Sequence, residues 1–290
     1  VYVRRGLEND PVVRVRAVAL AAGPDDVICG RTAAWLYGVW RPVPGSVVPL
    51  EVTRPVRAHG AAVGAVTRYR RVLRGTPDSG RPPVGIRHLD EDVAQLAELR
   101  VTSALRTCFD LMRERALVEA VVVADAFAFA GALDLTALTD YCSDGRRWPH
   151  VRAARTATML AHVGSRSPGE SRLRMVVVLA GYEEPLVNVP VHTSTGDYLG
   201  TPDLTLRGRR WVYLEYDGAY HDEAAQHGRD LRRQNGLIRA GGPPLLRFDR
   251  RHVLHQRALV LHEVATACGE SPRSSLDDAD FRRPLPTRAW

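Results

Sequence analysis

Two short apolar runs separated by four residues constrain this chain more than anything else in it. Leu204 to Leu206 and Trp211 to Tyr216 read as β-strands, and Arg207-Gly208-Arg209-Arg210 between them reads as a turn, so together they predict a hairpin. Asp203 opens the first strand, while Glu215 and Asp217 close the second. Side chains alternate across a strand, which puts Glu215 and Asp217 on one face. A register that brings Asp203 alongside gathers three carboxylates there, with Val212 and Leu214 packing behind. Three like charges so placed repel one another unless a cation or a shared proton compensates them. With His221 just beyond, the cluster predicts a metal site; the plainer alternative is strand-end carboxylates in solvent.

The rest of the composition bears on what such a site would act on. At 290 residues the chain has room for two domains, each with its own core. Hydrophobic and charged fractions of 45% and 25% are those of an ordinary globular protein. A formal net charge of +7 and a pI near 9.6 favour an acidic partner, most simply nucleic acid. Every basic side chain apart from histidine is arginine, for the sequence contains no lysine. Phosphate contacts would then be bidentate forks rather than point charges. Cys29, Cys108, Cys142 and Cys268 are scattered, with neither zinc-ligand spacing nor a disulfide framework. The longest apolar runs fall far below a membrane span, so a cytoplasmic protein with no membrane partner is expected. Oligomeric state is left open, a homodimer included.

Taken in order, the chain opens with a strand-like Val1 to Gly6, followed by a helix over Pro11 to Ala22 and another from Arg31 to Tyr37. Val47 to Val52 and Ala65 to Tyr69 read as strands. Arg68, Arg70 and Arg71 crowd the second of them around Tyr69, a basic segment suited to a phosphate backbone or to a solvated strand face. Leu99 to Ser103 leads into a helix through Met112, capped by Thr102 or Ser103. Apolar helices follow over Glu119 to Ala132, Leu135 to Tyr141 and Val151 to Val163, a section that reads as scaffold. Ser167-Pro168-Gly169-Glu170 is a capping box in which the Glu170 carboxylate bonds back to the cap amide. Leu186 to Val191 is the strand before the hairpin. Beyond it, Glu223 to Ala240 predicts a helix with Arg229, Arg232 and Arg233 on one face and Leu231, Gln234 and Ile238 on the other, an arginine stripe expected to bind nucleic acid beside the carboxylates, or else a solvated helix face. Leu245 to Phe248 is the last strand, His252 to Cys268 the closing helix, and Ser271 to Trp290 a disordered tail.

The run Pro202-Asp203 on one strand with Glu215 on the next resembles the PD-(D/E)XK nuclease superfamily. Its fuller form, Leu-Glu-Tyr-Asp-Gly-x-x-His, is similar to the branch related to very-short-patch-repair endonucleases. Arg229-Asp-x-x-Arg233 followed by Leu245-Leu246-Arg247-Phe248 recurs there too. The resemblance spans roughly residues 165 to 265 and implies a restriction-endonuclease-like mixed sheet flanked by helices, about four strands across, over 165–268. Upstream, Arg-Thr-Ala-Ala-Trp-Leu-Tyr-Gly (31–38) and Val-Thr-Ser-x-x-Arg-Thr-x-x-Asp-Leu (101–111) resemble AbiEi-type antitoxins. They imply an α+β region over 1–160, and the opening Val1-Tyr2-Val3-Arg4-Arg5-Gly6, similar to the strand that ends the wing in those proteins, implies that part of an N-terminal winged helix is missing. The chain as a whole is thus expected to be of α/β class, α+β overall.

The activity that the resemblance implies is metal-dependent DNA endonuclease chemistry. Mg²⁺, or Mn²⁺, would be held by Asp203, Glu215 and the backbone carbonyl of Tyr216. His221 is implied as general base or second acid. Asp217 would join the metal shell or orient the water, and Glu170 would face the metal from the first helix. The superfamily's lysine falls at position 217, where this chain has Asp217. That departure supports the alternative of an AbiEi-like DNA-binding transcriptional regulator or antitoxin with a catalytically inactive nuclease fold.

Overall fold

The computed structural model describes residues 10–21, 26–39, 50–54, 66–70, 86–88, 92–144, 148, 150–218 and 242–282. It divides into two units, the first running to Val163 and the second from Gly164 to Arg282. Both mix helices with sheet, so the chain is a mixed α/β protein. No described helix is long and apolar enough to cross a membrane.

The first unit begins with α1 (Pro11–Ala21), β1 (Val27–Ile28), α2 (Gly30–Leu36), β2 (Leu50–Arg54) and β3 (Val66–Arg70). Then come β4 (Ile86–His88), β5 (Val93–Leu96) and β6 (Leu99–Thr102). These strands form one sheet in the order β3-β2-β1-β6-β5-β4, with β1–β6 and β2–β3 parallel. β1, β4 and β5 escape a reading of the sequence because strands of two to four residues show no alternation. Helices α3 (Ala104–Arg113), α4 (Leu117–Phe129), α5 (Leu135–Asp144) and α6 (Val151–Leu160) follow. Ser103 caps α3, its Oγ accepting the Arg106 N–H at 3.2 Å. The apolar run of α4 is buried as its composition demands, with Val121, Val122, Val123 and Phe127 sealed from solvent.

Inside the first unit the Val-Thr-Ser-x-x-Arg-Thr-x-x-Asp run does structural work. Arg106 is buried and donates to Asp92 at 2.8 Å and to Asp110 at 2.7 Å. Arg113 pairs with the other oxygen of Asp110 at 2.9 Å, Tyr141 donates its hydroxyl to Asp92, and Trp148 lies 5.1 Å from the Arg106 guanidinium. Burial pulls the Arg106 pKa down, but Asp110, Tyr141 and Asp92 push harder, so it ends above its ordinary value. A second buried acid, Glu51, accepts from the Arg31 backbone N–H at 2.6 Å and its guanidinium at 3.0 Å. Gly30, at φ +58°, is required there, since a Cβ would sit 1.9 Å from the Glu51 carboxylate.

The second unit starts with α7 (Pro168–Leu179) and continues with β7 (Leu186–Val187), β8 (Val191–His192), β9 (Tyr198–Gly200), β10 (Leu204–Arg207) and β11 (Trp211–Asp217). It closes with β12 (Leu245–Asp249), α8 (Arg250–His255), α9 (Arg257–Cys268) and a 3₁₀ turn over Asp278–Phe281. A four-stranded sheet runs β12-β11-β10-β7, antiparallel except for the β11–β12 pair. Its even-numbered side chains, Leu204, Leu206, Val212, Leu214 and Phe248, form one core with Leu173, Val176 and Val177 of α7, Val253 of α8, and Val260 and Val264 of α9.

Three readings of this unit need correction. Leu186 to Val191 is two strands, because Asn188 adopts φ +52° and breaks the ladder. The helix expected from His252 starts at Arg250 and is interrupted at Gln256 (φ −128°, ψ 38°), giving α8 and α9. The expected disordered tail is ordered through residue 282. There the Arg273 and Ser274 N–H groups both donate to the Ala180 carbonyl at the end of α7, and Leu276 and Phe281 pack on the core. Its Pro, Arg and Asp content conceals two apolar anchors and a helix end in need of donors.

Candidate functional site

The hairpin forms as its pattern predicts, and its register builds the site. Leu204 lies opposite Leu214 and Arg207 opposite Trp211. Asp203 immediately precedes β10, so the same count carried one residue past the paired strand places it across from Glu215. Asp203 Oδ2 accepts the Tyr216 N–H at 2.8 Å, which fixes the peptide linking Glu215 to Tyr216. Tyr216 is held from the other side as well. Its ring lies over Gly169 so closely that a Cβ there would stand 2.0 Å from Cε1, tying the start of α7 to β11.

β12 supplies what the hairpin lacks. In the parallel register Glu215 lies beside Arg247 and Asp217 beside Asp249. Arg247 donates to Glu215 Oε2 at 3.0 Å, with the arginine side chain 41% exposed and the glutamate 13%. Asp249 accepts the His252 backbone N–H at 3.0 Å, which holds its carboxyl below the ordinary aspartate value, and its Oδ1 lies 2.7 Å from His252 Nδ1.

The expected trio of carboxylates is not what the structure gathers. Among the described residues no group of three or more His, Cys, Asp or Glu side chains is placed to hold a metal ion. Asp217 is exposed at the strand end, and Glu215 has a guanidinium as its neighbour instead of a third acid. The electrostatic reason is direct: an arginine one strand over relieves the repulsion that a third carboxylate would add. What remains is a pair of carboxylates opposed in register beside the Tyr216 carbonyl. That carbonyl accepts from Gly218 N–H at 3.2 Å. This donor set is hard oxygen throughout, the chemistry that Mg²⁺ takes.

Glu170 is buried, 7% exposed. Ser167 Oγ accepts the Glu170 N–H at 3.1 Å, completing one half of the capping box. The other half differs from expectation: Glu170 Oε2 reaches past the cap to the Arg166 N–H at 2.9 Å and also accepts from Asn188 Nδ2 at 2.8 Å. Glu170 therefore clamps the start of α7 to the strand break at Asn188. His221, Arg229, Arg232, Arg233 and Arg71 lie outside the described residues, while Arg68 and Arg70 fall on β3 in the first unit.

Arg247 and the Asp249–His252 pair were missed as site residues. Alternation along Leu245 to Asp249 puts Arg247 and Asp249 on the face opposite Phe248, a signal present in the sequence. The parallel register that sets them beside Glu215 and Asp217 is not.

No family profile, no curated protein and no solved structure matches the chain.

Proposed function

We propose that this protein is a metal-dependent DNA endonuclease, in keeping with the resemblance of its hairpin to very-short-patch-repair-type nucleases. The observation that carries the reading is that Asp203, immediately before β10, and Glu215 of β11 close the same end of the hairpin, where Asp203 Oδ2 accepts the Tyr216 N–H. Asp203, Glu215 and the Tyr216 carbonyl would hold Mg²⁺ or Mn²⁺. An ion held there would supply Lewis-acid polarisation of the scissile phosphate and an acidified water. Asp203, through its bond to the Tyr216 N–H, holds the peptide between Glu215 and Tyr216 and so ties the two proposed acids to one strand end. His221 would move the proton, since an unperturbed imidazole exchanges protons near neutrality. The net charge of +7 favours a polyanionic substrate.

Nicking of supercoiled plasmid with Mg²⁺, Mn²⁺ or EDTA tests this. Asp203→Asn and Glu215→Gln keep shape and remove charge, so each abolishes nicking while leaving the fold intact. His221→Ala slows it by about 10²–10⁴-fold.

A second reading is favoured by the Arg247–Glu215 ion pair, which balances the carboxylate face without an ion. On that reading the chain is a DNA-binding regulator with an inactive nuclease-like unit. Wild-type protein that binds DNA but never nicks it, across metals and across matched and mismatched substrates, decides for the regulator.

A further inference from the structure

Three arginines line the corner where β12 turns into α8: Arg247, Arg250 and Arg251, all exposed. Arg247 stands on the carboxylate face in register with Glu215, and its contact with that acid uses one terminal nitrogen of a guanidinium that carries five donors. Arg250 and Arg251 occupy the first two positions of α8, where the helix dipole disfavours positive charge. Neither has an acidic side-chain partner among the described residues. Asp249, adjacent in sequence, is committed to His252 through the reciprocal cap, its carboxylate accepting the His252 N–H and its own N–H bonding to His252 Nδ1. Local folding thus gains nothing from these charges and at the helix start is opposed by them. A row of solvent-facing guanidinium forks beside opposed carboxylates suits a ligand that is anionic along its length.

We propose that the β12–α8 corner is the edge on which the DNA backbone lies: Arg250 and Arg251 grip phosphates, and Arg247 exchanges Glu215 for the phosphate presented to Asp203 and Glu215. The inference rests on DNA being the partner and does not require the carboxylates to be catalytically active.

Binding of a short fluorescent duplex, measured by anisotropy in EDTA over a range of NaCl concentrations, reads the number of phosphates engaged. Replacing Arg250 and Arg251 by alanine lowers the slope of log K against log[salt] by about two, and adding Arg247→Ala removes about one more. Arg250→Glu with Arg251→Glu leaves the Glu215–Arg247 pair in place and puts acids where the helix start favours them. This reversal raises the melting temperature while weakening DNA binding, opposite signs that a merely structural role does not produce. A triple alanine variant that melts like wild type and keeps the wild-type slope overturns the inference and leaves DNA as partner. Wild-type protein that binds no duplex even at low salt overturns both.

Discussion

Glu170→Ala isolates the clamp at the start of α7, and its effect can be worked from two hydrogen bonds. One oxygen of the buried Glu170, Oε2, accepts from the Arg166 backbone N–H and from Asn188 Nδ2, both bonds partly shielded from water. Alanine leaves both donors without it, and an orphaned buried donor costs about 1–3 kcal/mol. Asn188 Nδ2 keeps its 2.9 Å bond to the Gly164 carbonyl, so its share falls at the low end. The sum is about 2–4 kcal/mol of stability in the second unit. For a unit of this size each kcal/mol moves the melting temperature by about 4 °C, giving a drop of roughly 8–16 °C. Glu170→Gln retains an oxygen for both donors and should cost less than about 1 kcal/mol. Thermal unfolding followed by circular dichroism and calorimetry measures both variants. An alanine variant melting within about 2 °C of wild type refutes the clamp. If the glutamine variant is stable but no longer nicks DNA, Glu170 faces the reaction as well.

Arg106→Ala removes the buried cation shared by Asp92 and Asp110, leaving Asp92 its bond from Tyr141 and Asp110 its pair with Arg113, and should cost about 3–5 kcal/mol in urea unfolding, against little change for an exposed arginine such as Arg152. Gly169→Ala drives a methyl into the Tyr216 ring, and the overpacking should destabilise the second unit by about 1–3 kcal/mol and lower whatever activity the hairpin has. All four cysteines are buried free thiols, and burial pushes the Cys108 thiol well above its ordinary pKa. The native protein should therefore react with a thiol-specific chromogenic reagent only as fast as it unfolds, with all four thiols appearing in denaturant.

What the sequence discloses and what it withholds divide along physical lines. The hairpin, the Ser103 and Ser167 caps and the buried run of α4 are local signals, each complete within a few residues, and each is present. The same locality explains the errors. A helix pattern running from His252 does not reveal the backbone turn at Gln256, and an apolar run from Leu186 does not reveal that Asn188 leaves the strand to bond Glu170 and Gly164. The polar segment after Ser271 reads as tail because its anchor, the Ala180 carbonyl, lies far away in sequence. At the site, both acids of the pair are legible from a motif, whereas Arg247 at the side of Glu215 depends on a parallel register that no local pattern encodes.

That register also orders events in time. Asp203 and Glu215 meet through a hairpin, a contact that forms in about 1–10 μs. Arg247 lies 32 residues beyond Glu215 and arrives only when β12 docks in parallel, a closure with a larger entropic barrier. During folding the acidic half of the site therefore exists before its counter-charge, and the assembled sheet waits on its last strand. Changing the length of the chain between β11 and β12 should alter the folding rate well before it alters stability, since doubling that length costs only about 0.6 kcal/mol.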